Sequence, residues 1–405
     1  GGGGTGAGAS GGGDGGEGGR SIFDAGVSDA RECIVEPQDE VITVVSGLPV
    51  PAVQFQASCN GNPEPAQWLC SRGEVGTIDD NGVFTPTGNV GGEAVIEATI
   101  GDEKPQATIT VKIETVQNGP TGNEPPPSSG GWGGVGGEGV GPAVDGSLQS
   151  LLDGATSADP GLDWLYPYDG TVWPLGLLPP LLQWSAGTAE IADAVYIHLS
   201  SEHYDYKGYF GRPAPLAPGT AFVRHPIPPD AWRAATLSSA GGTLTAQLVV
   251  ATGGTAYGPI AQTWTIARGV LKGSVYYQSY GTNLARNYCC YQNTSQLFGG
   301  ATLAIQPGAT EPELVAGADG ESTECRVCHS VSAGGTRMVV QHGNDYSMSS
   351  SYDLQNGYAE TVYGAGTDGD LGWVGMSHDG SKGLGNRVPI PGGANPNGAT
   401  SHLYD

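Results

Sequence analysis

The residues best placed to do chemistry are Cys325-Arg326-Val327-Cys328-His329. Two thiols three apart, followed at once by an imidazole, form the C-x-x-C-H pattern that attaches a c-type haem. Cys325 and Cys328 would add to the two vinyl groups of the porphyrin, and His329 would sit beneath the iron as its proximal ligand. The chain has 405 residues with only 7 Cys and 7 His, so chance placement yields roughly 0.002 copies of this pattern. A sixth ligand would be Met or His. Met338, His342, Met348, Met376 and His378 follow the motif, and His342 and Met348 rank first because nearby Gly and Ser suit a loop. The expected cofactor is therefore one covalent haem c. The expected role is electron transfer to a redox partner, with no acid–base catalyst required. Two other readings of the sulfurs stay open. One is a Cys325–Cys328 disulfide in a non-enzymatic surface interaction or scaffold protein. The other is a zinc half-site or redox dithiol, which lacks a following His pair and a βαβ setting.

Composition bounds what surrounds this motif. Lys and Arg number 16 against 41 Asp and Glu, a formal charge of −25. That excludes nucleic acid and anionic lipid as natural partners, since both need basic patches. Gly is 70 and Pro 29, which favours turns and short strands over long helices. No run of about 18 apolar residues occurs, so no membrane-spanning helix is expected. Seven Cys point to an oxidising compartment, and covalent haem attachment implies the same, so the expected location is periplasmic or cell-surface.

The elements that must hold the motif are β-type. Residues 1–35 begin as a Gly-rich flexible tether. Residues 36–115 carry short strands such as 41–45, 53–57, 94–100 and 107–113. They are punctuated by Asn60-Gly61-Asn62-Pro63, Asp80-Asn81-Gly82 and Gly101-Asp102. Gln106–Ile113 alternates polar and apolar, as a half-buried strand does. Trp68, Arg72–Asp79, Asn81–Pro86 and the closing 107–113 strand resemble a bacterial immunoglobulin-like domain. Residues 116–150 read as a Gly/Pro-rich linker. Residues 151–268 read as a second sandwich, and Tyr166–Thr171 with Leu182-Gln183-Trp184 resemble the entry of an immunoglobulin or fibronectin-like unit.

From 269 to 405 the texture is again β-rich. Gly372–Lys382 resembles a TolB-like propeller hairpin, with Asp379-Gly380 at its turn, and 400–405 reads as a further strand. The expected class is thus mainly β: tandem sandwiches followed by a propeller-like region that carries the haem motif. Together with the Gly-rich start, this combination resembles large bacterial envelope lipoproteins. The resemblance implies an envelope partner protein and an N-terminal lipid anchor.

Other candidates are weaker. Cys59 and Cys70 flank a turn and are the expected disulfide, leaving Cys33, Cys289 and Cys290 without an assigned pairing. Asp368-Gly369-Asp370 lacks the rest of a calcium loop and reads as a solvated turn. His198, His203 and His225 read as packing residues. No nucleophile elbow, phosphate loop or His-Glu-x-x-His occurs.

Overall fold

The computed structural model describes residues 31–124, 139–185, 187–214, 219, 221–282, 299–317, 326–342, 348–364, 371–386 and 401–405. Among these the chain is mainly β, with two short helices, Gly146–Asp153 and Pro229–Ser238.

One strand organises the first half. Gln106–Asn118 buries alternate residues, Ala107, Ile109, Val111 and Ile113, as the polar–apolar pattern requires. It pairs three times. Residues 106–111 run antiparallel to 92–97, residues 108–114 run parallel to 39–45, and residues 113–118 run parallel to 204–209. A strand has only two edges, and the 39–45 pairing overlaps both of the others. The strands Gly92–Thr99 and Tyr204–Gly211 therefore lie end to end along the same edge. The product is one nine-stranded sheet drawn from strands between Asp39 and Val270.

The junction is tight. A Cβ on Gly91 would lie 2.1 Å from the His203 carbonyl oxygen, so only glycine lets the two backbones approach. The Gly91 N–H donates to Ser238 Oγ at 2.8 Å. Buried Gln117 accepts from the Tyr206 hydroxyl at 2.9 Å. The Asn118 amide exchanges two hydrogen bonds with the Val144 backbone.

Two small sheets face the first part of this large one. One comprises Cys33–Glu36, Gln56–Cys59 and Asn62–Pro63; the other comprises Val53–Gln54, Val83–Pro86 and Gly76–Ile78. Their Val35, Phe55 and Phe84 share a core with Ile96 and Ile109 of the large sheet, giving a two-layer β-sandwich. Farther along, Ala194–Ser200, Tyr204–Gly211, Thr243–Thr252 and Thr255–Val270 form the body of the sheet. Helix Pro229–Ser238 starts on a proline, whose missing N–H is no loss there. It brings Trp232 edge-on to Trp173 at 5.3 Å between ring centres. Helix Gly146–Asp153 is capped by the Asp145 carboxylate and lays Leu152 among Tyr196, Tyr209 and Val249.

The last region is three antiparallel sheets in series. The first is Val275–Thr282, Gly299–Ile305 and Glu313–Ala316. The middle one is Val327–Val331, Arg337–His342, Met348–Asp353 and Ala359–Tyr363. The last is Gly372–Met376, Gly383–Asn386 and Ser401–Tyr404. The middle sheet uses both faces. Met338 and Val340 pack on Ala304 and Val315 of the first sheet, and neighbouring Val339 packs on Leu371 and Val374 of the last. No closed propeller ring forms among the described residues.

Candidate functional site

The Cys-x-x-Cys-His motif enters the edge strand Val327–Val331 of the middle sheet. Cys325 lies outside the described residues, as do Cys289, Cys290 and Asp368–Asp370. The ladder places Val327 opposite Gln341 and Ser330 opposite Val339, so Cys328 and His329 fall in an irregularity of the register. Cys328 has a φ of 53°, in the left-handed region where a non-glycine residue is uncommon. It carries a free thiol, which burial pushes up in pKa. His329 is half-buried. Desolvation holds its ring below the usual pKa, against a hydrogen bond to the Tyr276 backbone that acts the other way.

The two proposed sixth ligands face each other across the sheet, His342 opposite Met348. His342 is fully buried, and its Nε2 lies 2.7 Å from Ser350 Oγ. Both belong to strands rather than loops.

This geometry overturns the expected haem c. A c-type site needs an imidazole and a second ligand converging on one iron, above an apolar slot for the porphyrin. Among the described residues no group of three or more His, Cys, Asp or Glu side chains converges where a metal ion could be held. His329 turns to a backbone carbonyl, and His342 turns to a serine inside the sheet. The ligand roles expected of His329, His342 and Met348 lose their cofactor, and two of the three side chains, His329 and His342, are hydrogen-bonded within the protein.

What the motif contributes instead is its spacer residue. Arg326 is buried, and its guanidinium crosses the sheet to Tyr352 and Glu360. Nη2 lies 2.9 Å from Glu360 Oε1, and Nε donates to the Tyr352 hydroxyl at 3.1 Å. The Tyr352 hydroxyl in turn donates to Glu360 at 2.7 Å. Gln278 of the neighbouring sheet donates to the Arg326 carbonyl. Desolvation pushes the Glu360 carboxyl up, but hydrogen bonds from Ser350, Tyr352 and Arg326 outweigh it, so it ionises below the ordinary range. The arrangement holds a sheet together and offers no reacting atom to a substrate. The sequence signal for it was an arginine flanked by apolar and sulfur residues in a chain poor in cations.

The disulfide also differs from expectation. Cys59 bonds Cys33, not Cys70. The strands Cys33–Glu36 and Gln56–Cys59 pair antiparallel with these two residues directly opposite, whereas Cys70 sits on another sheet opposite Ile96 with a free thiol.

No protein-family model matches the chain, and no curated protein matches it. Solved structures overlap it only loosely. Domains 3–5 of Drosophila OTK share 8% identity over 58% of this chain at a TM-score of 0.18, and the chain covers 62% of that structure's length. The titin Ig tandem A164–A165 shares 9% over 58% of this chain and 95% of its own, with a TM-score of 0.18. Protocadherin gamma B2 cadherin domains 1–5 share 11% over 82% of this chain and 59% of their own, with a TM-score of 0.19. The fold described above rests on the chain's own strand pairing.

Proposed function

We propose that this chain is a non-enzymatic interaction and scaffold protein of the secreted or cell-surface kind. The observation that carries the reading is the strand Gln106–Asn118, which serves both sandwich regions and fuses them into one sheet. Neighbouring domains move relative to one another unless a large interface stops them. A shared strand stops them through its backbone ladder, which suits a part whose task is to hold surfaces at a fixed spacing. The division into units at 36–115, 151–268 and 269–405 belongs to this proposal, with the first two joined stiffly.

Two further features support it. The Cys33–Cys59 bridge fits an oxidising compartment. The outer face of the large sheet leaves Val41, Leu69 and Val116 exposed, a mixed surface of the kind protein partners cover. The partner class is another envelope or extracellular protein.

Fractionation of the source cells tests the reading. The chain is expected outside the cytosol, with Cys33 and Cys59 oxidised and no visible absorption that changes on adding dithionite. A redox-active pigment, or a cytosolic chain with both thiols reduced, contradicts it.

A further inference from the structure

A cavity of about 220 Å³ lies between the middle and last sheets of the C-terminal region. Its apolar wall is Val339, Leu371, Val374 and Met376, and its polar rim includes Arg337, Tyr363 and Tyr404. Lys382 and Asp405 also line it, and their opposite charges pair with each other. Arg337 is different. Its guanidinium makes one long hydrogen bond, to Ser351 Oγ at 3.4 Å, and no close ion pair among the described residues, although Asp353, opposite it on the adjacent strand, feels its charge. The Tyr404 hydroxyl is shielded from solvent and has no hydrogen-bond partner. A buried hydroxyl without a partner carries a desolvation cost that a ligand acceptor relieves. Ser351 Oγ lies 3.1 Å from the Tyr363 hydroxyl, which fixes a second polar group on the rim.

We infer that this cavity binds the carboxylate of a small organic acid. The guanidinium fork of Arg337 receives the two carboxylate oxygens, the Tyr404 hydroxyl donates to one of them, and a short apolar body lies against Val374 and Met376. The volume is below the roughly 300–1,000 Å³ of drug-sized sites, which limits that body to a single ring or a short branched chain. The same chemistry is offered by a free aromatic acid and by the C-terminal phenylalanine of a peptide.

Calorimetric titration of the full chain separates the outcomes. Benzoate probes the free acid and N-acetyl-Gly-Gly-Phe probes a chain end; benzamide and the peptide amide are the uncharged controls. At least one acid is expected to bind about tenfold more tightly than its amide, and the probe that does so names the source. Arg337→Gln is expected to abolish that preference. Tyr404→Phe, which keeps the ring and the packing, is expected to weaken the acid roughly three- to tenfold and leave the amide unchanged. Should Arg337→Gln fail to fold, the acid–amide comparison and Tyr404→Phe still decide. Equal binding of acid and amide, no binding of either acid at millimolar concentration, or an unchanged Tyr404→Phe overturns the inference.

Discussion

Arg326, just ahead of one edge strand of a four-stranded sheet, meets Glu360 of the opposite edge strand at 2.9 Å, with the Tyr352 hydroxyl touching both. The guanidinium is almost wholly buried, so removing the Glu360 charge leaves a buried cation less well compensated. Glu360→Gln is expected to destabilise the C-terminal region by on the order of 3 kcal/mol, and Arg326→Met with Glu360→Leu together by clearly less. Hydrogen exchange of peptides covering 337–342 and 348–353 across a urea series measures this. The pair also sets an acid response. Glu360 ionises below its ordinary value of 4.5, so its contribution is complete above about that pH and fades as pH falls through the folded value.

A second acid response comes from His225. It is fully buried and stacks on Phe210 at 4.5 Å between ring centres, and its Nε2 accepts from the Gly141 N–H at 3.0 Å. Desolvation lowers its pKa from 6.5 to about 3. The unfolded chain takes up a proton below pH 6.5 while the folded one does not, so stability falls as pH drops from 6.5 toward 3. The slope is roughly 1.4 kcal/mol per pH unit. His225→Phe is expected to flatten that slope while costing about 1–2 kcal/mol at pH 7, because Gly141 loses its acceptor. Melting temperatures between pH 4 and 8 show both effects.

The Cys33–Cys59 bridge spans 26 residues of sequence. Loop-closure entropy gives such a bridge about 3–4 kcal/mol. Replacing both cysteines by serine is expected to lower the stability of the N-terminal sandwich by that amount. Cys70→Ala, a change at a half-buried free thiol, is expected to cost about 1 kcal/mol or less. Guanidinium unfolding of the two variants ranks them, and a larger loss for Cys70→Ala contradicts the assigned pairing.

Much of the fold could be read in advance from local pattern. The alternation of 106–113 marked a buried face, and Asp379-Gly380 marked a hairpin. In that turn the Asp379 carboxylate accepts from Ser377 and Ser381. What could not be read is non-local. The mostly polar run Glu114–Asn118 looks like the end of a strand, yet the strand continues because Gln117 finds Tyr206 and the backbone finds 204–209. The sulfur spacing of Cys59 and Cys70 favoured a local bridge, but strand pairing set Cys33 opposite Cys59. The haem motif shows the same limit. Five residues specify a spacing, and the sheet around them decided that Arg326 is buried against Glu360 and that His342 faces Ser350.

Cys328 checks the correction of the haem reading. Chain produced alongside a haem-attachment system is expected to keep its unmodified mass, with Cys328 alkylating under native conditions more slowly than a free peptide thiol because burial raises its pKa. A mass gain of one haem, with Cys328 blocked, would show that the strand geometry is not what the chain adopts.

Hydrogen exchange read by mass spectrometry across a denaturant series bears most directly on the shared strand. Peptides covering 92–99, 106–118 and 204–211 are expected to lose protection together, at one denaturant concentration, as a single cooperative unit. Gly91→Val, whose side chain collides with the His203 carbonyl, is expected to split that loss into two steps. If the native chain already releases 92–111 at a lower denaturant concentration than 204–211, the two regions are not one sheet in solution and the scaffold reading fails.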